Sequence, residues 1–339
     1  WSVSAGCVDS MVANYTPMKK FRKDDDFTPG GVNDRRPDRA TIVYTNLIKK
    51  HVKGRPVFLA GLEASLRRIA HYDYWSDSVR RSVLFDAKAD GIIYGMAELA
   101  TTEIAERIRD KEEWRDVRGL CYASSSVPDG FIRMPSFEEC RNDRKAFMRA
   151  FVTFRSNSDP MTAKGLAQGH GDRHLIQNPP QRPLTTEELD SLHESDFEDA
   201  VHPYCLKDGK VRAMDTVRNS ITTHRGCYGD CSFCSIAVHQ GTTVVSRSED
   251  SILREARRIA SRPRFNGIIQ DVGGPTANMY GIECRVKEVK GRCADRRCLG
   301  SKPCPRLPID HSPRPLCSVR SRRSRGSGRC SSTPASATT

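Results

Sequence analysis

Three cysteines within eight residues constrain this chain more than any other feature. They stand in Arg225-Gly-Cys227-Tyr-Gly-Asp-Cys231-Ser-Phe-Cys234, a Cys-x3-Cys-x2-Cys spacing. Thiolates this close can wrap one corner of a cubane [4Fe–4S] cluster and ligate three of its irons. The fourth iron then has no protein ligand and can bind a small molecule directly, which a four-cysteine electron-transfer cluster cannot do. Gly226 and Gly229 let the backbone bend round the cluster, and Phe233 is expected to shield it from solvent. Two other readings stay open. Zinc would need a fourth ligand, for which His239 is placed, and the three residues would otherwise be buried structural cysteines. A second group, Cys284-x8-Cys293-x4-Cys298-x5-Cys304, lies among Lys, Arg and Gly. It reads either as a second metal site, holding an auxiliary cluster or a structural zinc, or as partly buried free thiols.

Thirteen cysteines in 339 residues are too few for a disulfide scaffold, and their uneven placement points to metal ligation in a reducing, cytoplasmic setting. No apolar run reaches the length of a membrane span, and no secretory signal pattern opens the chain. The net charge of +13 is concentrated at one end. From Ser312 onward there are six Arg and no acid, and without those six the remaining residues carry +7. So mild an excess reads as a solvated surface and gives nucleic-acid binding little support.

Strands alternate with helices along the first third, as in an α/β fold with a parallel sheet. Strands are expected at Thr41–Tyr44, Pro56–Ala60 and Gly91–Tyr94, and helices at Glu63–Ala70 and Ala97–Arg109. His71-Tyr-Asp-Tyr-Trp-Ser-Asp77 either lines a pocket or packs as an aromatic corner. Ser156–Pro160 and Asn178–Pro183 are proline-broken connections. His170, Asp172 and His174 lie between them, as loop histidines or a metal set. Thr185-Thr-Glu-Glu-Leu189 starts a capped helix. A β-loop-α-β unit follows, with strands at Asn219–His224 and Gly267–Val272 and a capped helix at Ser248–Ala256. Its long first loop carries the three cysteines.

Several blocks resemble the YgiQ-like family of radical S-adenosylmethionine (SAM) proteins. They are Asp9-Ser-Met-Val12, Tyr15-Thr16, Thr28-Pro-Gly-Gly31, Gly61-Leu-Glu-Ala-Ser-Leu-Arg-Arg68, His71–Asp77, Asp86-Ala-Lys-Ala-Asp90, His170-Gly-Asp-Arg173, His224-Arg-Gly-Cys227, Asp271-Val-Gly-Gly-Pro-Thr-Ala-Asn-Met-Tyr-Gly281 and Asp310-His-Ser-Pro313. The resemblance runs from residue 1 to about 313. It implies a Rossmann-like, cobalamin-domain-like region over 1–125, a bridging region over 126–210, and the N-terminal part of a radical SAM (βα) partial barrel over 211–313. It implies that Cys227, Cys231 and Cys234 hold a [4Fe–4S] cluster whose open iron chelates SAM. Reductive cleavage would then give a 5′-deoxyadenosyl radical that takes hydrogen from a substrate the sequence does not identify. The reductant would be a protein such as flavodoxin or ferredoxin. The alternative is a [4Fe–4S] electron-transfer or redox-sensing protein without SAM chemistry. Gly273 and Gly274 occupy the turn that contacts the SAM amino group in this superfamily. Pro275 stands where an acid is usual, with Asp271 as the candidate substitute. No Asp-x-His-x-x-Gly is present, so no cobalt ligand is read.

A radical SAM barrel needs about six βα units, roughly 200 residues on the scale of related barrels. Residues 211–313 suffice for about half, so an incomplete enzyme is expected, with a piece missing before Trp1 as well. The Arg/Ser-rich segment 314–339 has too few apolar groups to offset ordering entropy and is expected to be disordered. Its abrupt change of character reads as a shifted reading frame.

Overall fold

The structure, a computed structural model, describes residues 1–263, 265–293, 296–300, 302–310 and the backbone of 329–330. The chain divides into two compact units. One comprises Trp1–Lys23, Asp34–Arg182 and Lys290–Ala294, the other Asp24–Asn33, Pro183–Val289 and Asp295–Thr339. Apart from 329–330, the tail expected to be disordered lies outside the described residues. Among the described residues no helix is long and apolar enough to cross a membrane.

The first unit contains β1 (Ser2–Val3), β2 (Phe58–Leu59), β3 (His71–Asp73), β4 (Ser78–Arg80), β5 (Gly91–Ile93), β6 (Leu120–Ser124), β7 (Ile132–Met134), β8 (Leu166–His170) and β9 (Arg173–Gln177). Seven of these form one sheet in the order β1-β2-β5-β6-β9-β8-β7. The β1-β2-β5 side is parallel, as the α/β reading expects. From β5 through β6 and β9 to β8 the pairing is antiparallel, and β7 joins β8 in parallel. Strands β7–β9 belong to this sheet, and residues 34–182 fall in the first unit. The helix Glu98–Asp110 lays Ala100 and Ile104 on Phe58, Ile93, Leu120 and Ile176. Its last turn carries Arg107 and Arg109, which favour a helix C-terminus, and Lys111 ends it in the left-handed region at φ 62°.

One expected strand is a helix. Thr41–Tyr44 lies inside the helix Ala40–His51. Its β-branched run is a weak preference that tertiary contacts override. The Ala40 N–H donates to Ser10 Oγ at 3.0 Å, and the Thr45 hydroxyl donates back to the Thr41 carbonyl at 2.7 Å.

The second unit contains β10 (Ser220–Thr222), β11 (His224–Arg225), β12 (Val245–Ser246), β13 (Ile268–Ile269), β14 (Asp271–Gly273) and β15 (Arg329–Cys330). β10 pairs with β14 in parallel, β11 with β12 antiparallel, and β13 with β15 in parallel. No closed barrel forms among the described residues. The stretch expected as one strand over 267–272 is shared between two ladders. Ser248 caps the helix Glu249–Ala260 by accepting from the Ser251 N–H, and two acids sit in its first turn. That helix buries Ile252, Ala256 and Ile259 against Ile221, Ile269 and Tyr280. Thr185 and Glu188 close a capping box on the helix Thr186–His193.

His170 and His174 sit on β8 and β9, opposite strands of a hairpin, and not in a loop. His170 is buried between the Phe85 ring at 4.7 Å and the Phe137 ring at 5.7 Å. Neither ring nitrogen has a hydrogen-bond partner among the described residues. Burial, helped by Arg81, pushes its pKa down to about 3 against the pull of Asp86. The unfolded imidazole takes a proton near pH 6.5 and the folded one only near 3, so stability is lost as pH falls through that window. His170→Phe is expected to lose about 2 kcal/mol less stability than the parent between pH 7 and pH 5. Urea midpoints at the two pH values test this, and equal losses in both proteins would refute it.

Candidate metal centre

Because β10 and β14 run parallel, their carboxyl ends share one edge of the second unit. Thr222 lies opposite Gly273, and the Thr223 N–H donates to the Gly273 carbonyl at 2.8 Å. The loop after β10 carries Cys227, Cys231 and Cys234, while β14 ends at Gly273 and the turn that follows begins at Gly274. Sites in βα folds form at this edge, where loops from neighbouring strands meet.

Buried Arg247 supports the edge from beneath. Its guanidinium donates to the Thr222 carbonyl at 2.9 Å and to Ser251 Oγ at 2.7 Å, and it pairs with Glu255. The cysteine loop then turns at Gly226, whose φ is +83°. The Gly226 N–H donates to Gln240 Oε1 at 3.0 Å and the Cys227 N–H to the Gly241 carbonyl at 3.2 Å. A Cβ on Gly226 would lie 2.0 Å from the Thr243 carbonyl oxygen, so no other residue fits there without moving backbone.

Two of the three sulfurs gather over Gly229. A Cβ at that position would stand 3.3 Å from Cys227 Sγ and 3.5 Å from Cys231 Sγ. The Gly229 N–H points at Cys227 Sγ at 3.3 Å, and Thr276 Oγ1 lies 3.5 Å from the same sulfur. The Cys234 N–H donates to the Cys231 carbonyl at 3.1 Å, which folds the last part of the motif into a turn. Cys227 is buried, Cys231 exposed and Cys234 between the two. Among the described residues no three Cys, His, Asp or Glu side chains gather closely enough for a single metal ion. A zinc site with His239 needs such a group. A cubane does not, because each thiolate binds its own iron. The expected shielding by Phe233 is absent: the Cys231–Cys234 turn leaves that ring 90% exposed.

The turn after β14 packs on the loop. The Tyr228 N–H points at Met279 Sδ at 3.4 Å, and the Tyr228 hydroxyl donates to the Ile282 carbonyl at 3.0 Å. Burial pushes the Tyr228 phenol well above its usual range. Gly274 lies against the buried His224 ring, where a Cβ would come within 2.1 Å of it. Gly273 has no comparable steric demand. Thr276, Met279, Gln240 and Arg247 were not singled out by sequence reasoning. The first two lie inside the Asp271–Gly281 block, which was the available signal.

Cys284, Cys298 and Cys304 share an apolar cluster with Cys227, Tyr228 and Met279. Cys293 falls in the segment Lys290–Ala294 of the first unit. The ammonium of buried Lys287 interacts with the Cys298 thiol, donates to the Thr242 carbonyl and lies 4.8 Å from the Tyr228 ring centre. Burial pushes the Cys298 thiol up against the opposing pull of Lys287.

Comparison with known proteins now places the chain. The profile of the radical SAM N-terminal family matches residues 1–220. The chain belongs to that family. Among curated relatives, the UPF0313 protein of Fusobacterium nucleatum is 52% identical over 314 residues, covering 92% of this chain and 55% of the relative. The UPF0313 protein of Thermotoga petrophila is 50% identical over 307 residues, covering 90% and 54%. That of Methanocella arvoryzae is 46% identical over 315 residues, covering 91% and 52%. These matches bear out the YgiQ-like radical SAM resemblance. The chain spans about half the length of the curated relatives it matches. The radical SAM N-terminal match stops seven residues before Cys227, so the cysteine loop lies beyond it.

Gly226→Ala is expected to lower stability by about 1–3 kcal/mol, because it adds both left-handed strain and the clash with Thr243. Gly241→Ala, with φ +88° but open space at its Cβ, carries the strain alone. Urea unfolding of the two variants measures the difference, and equal losses would count against the clash.

Proposed function

We propose that the chain is the N-terminal part of a radical SAM enzyme, with Cys227, Cys231 and Cys234 as the protein ligands of a [4Fe–4S] cluster. The observation that carries the reading is the pair of sulfurs gathered over Gly229, within the Cys-x3-Cys-x2-Cys spacing, at the strand edge shared with Gly273 and Gly274. When bound and reduced, the cluster would supply the electron that cleaves SAM and so generates a 5′-deoxyadenosyl radical. The protein's part is to position and to tune. Gly229 leaves room between two ligands, and its N–H lowers the charge on Cys227, a lever on cluster potential. Thr276 Oγ1 stands by the same sulfur. Gly273 and Gly274 present backbone groups where the SAM ammonium would bind. The exposed Cys231–Cys234 turn gives a flavodoxin- or ferredoxin-like reductant a short approach.

Anaerobic reconstitution tests this directly. The reduced protein should show the paramagnetic resonance signal of a [4Fe–4S] cluster, and SAM should perturb it through the open iron. Replacing Cys227, Cys231 and Cys234 with Ala should abolish that signal. A signal surviving in the triple variant would refute the ligand assignment. A cluster indifferent to SAM would favour an electron-transfer or redox-sensing role.

We extend the proposal to a second metal on Cys284, Cys298 and Cys304. The support is their common cluster and the buried Lys287, whose ammonium would offset the charge of a thiolate set. The triple Ala variant of the first site should retain bound iron, as a cluster in which each thiolate binds its own iron. Metal-free variant protein whose remaining thiols alkylate freely would overturn it.

A further inference from the structure

We propose that the first unit carries a nucleotide-binding platform, formed by the hairpin of β3 and β4 together with the segment Tyr15–Lys23. The hairpin alternates as a strand should. His71 and Asp73 turn inward, while Tyr72 and Tyr74 are about half exposed. Four rings run in series across the surface. Phe21 meets Tyr15 at 5.6 Å, Tyr15 meets Trp75 at 5.7 Å, and Trp75 meets Tyr74 at 5.4 Å. Beside them opens a pocket of about 400 Å³, lined by Tyr15, Arg67, His71, Tyr72, Tyr74 and Trp75 among others.

The rings are held in place. The Tyr74 hydroxyl donates to the Pro17 carbonyl at 2.7 Å, the Tyr15 hydroxyl to Asp38 at 2.8 Å and the Tyr72 hydroxyl to Asp77 at 2.5 Å. Lys19 lies 5.0 Å from the centre of the Tyr74 ring and donates to the Trp75 carbonyl at 3.2 Å. Fixed, half-exposed aromatic faces cost little further entropy when a flat group stacks on them.

The charge pattern selects the flat group. Four cations, Lys19, Lys20, Arg22 and Lys23, occur in five exposed residues. The acids of the pocket are already matched: Asp9 pairs with Arg67, and Asp73 with Arg39 at 2.7 Å and Arg67 at 3.7 Å. His71 sits at the inner wall of the pocket. Its Nδ1 lies 3.0 Å from the Ile69 carbonyl and so carries the proton, which leaves Nε2 an acceptor without a protein donor among the described residues. Stacking faces beside a row of cations suit a planar base joined to a phosphate, the combination used to bind single strands. The shared chemistry is a nucleotide unit, either free or within a single-stranded nucleic acid.

The proposal stands apart from the cluster reading, because its test needs no metal chemistry. The full chain is titrated with fluorescein-labelled oligouridine and oligoadenosine by anisotropy, with adenosine monophosphate as a competitor. Tyr72→Ala and Phe21→Ala should each weaken binding by about tenfold through loss of a stacking face, and Tyr72→Phe should restore it. Joint Lys20→Ala and Lys23→Ala substitution should flatten the salt dependence by about two phosphate contacts. Competition by the monophosphate at matching affinity identifies a free nucleotide, and oligonucleotide binding without it identifies a single strand. Absence of binding to any of the three probes would overturn the proposal. So would binding that the lysine changes abolish and the ring changes leave intact, because that is charge without a platform.

Discussion

The guanidinium of Arg247 is the point on which the second unit depends. A fully buried cation is tolerable only when its donors are matched, and breaking such a pair typically costs about 3–5 kcal/mol. The two terminal nitrogens of Arg247 are bonded across two elements, to the Thr222 carbonyl at the end of β10 and to Glu255 and Ser251 on the helix Glu249–Ala260, while its Nε lies 4.0 Å from Asp190. Its own N–H donates to the Thr223 carbonyl at 2.9 Å. The strand end, the helix and the start of the cysteine loop are therefore fixed by one side chain. Gly226 and Cys227 begin three residues after Thr223, so an error at Arg247 would be carried straight to the thiols.

The first unit contains a comparable element in Arg68. Its guanidinium lies 4.3 Å from the Tyr94 ring centre and 4.4 Å from that of Phe154, and it donates to Gln177 at 3.0 Å and to the Ser65 carbonyl. Burial lowers its pKa from the usual arginine value, yet the rings and oxygens keep the cation matched. It draws the end of the helix Gly61–Leu66, β9 and the helix Arg144–Ser156 together. Both units use an arginine where a small apolar core alone would leave strand ends and helix ends unconnected.

What the sequence revealed, and what it hid, follows from which forces are local. The strands around Phe58 and Ile92, the helix Glu98–Asp110 and the capped helices at Thr185 and Ser248 were legible, because their periodicity and caps are written within a few residues. Thr41–Tyr44 misled because the Ser10 hydroxyl that receives the Ala40 N–H lies thirty residues away. The sheet beyond 125 was missed because β7 is only three residues long and two helices separate it from β8. The cysteine loop was visible through its spacing. Its supports were not: nothing in Arg-Ser-Glu-Asp announces that Arg247 is wholly buried. The overall charge of the chain likewise averaged away the local cluster at Lys19–Lys23.

Gly274 and His224 show how closely the turn after β14 is matched to β11. The imidazole of one fills the space that any side chain on the other would need. A lineage that placed even a methyl group at 274 would have to replace the ring at 224 in the same step, and restoring the ring would require the glycine again. The two positions therefore behave as one inherited character. Among descendants of this sequence they should be kept together or lost together, although they stand fifty positions apart in the chain.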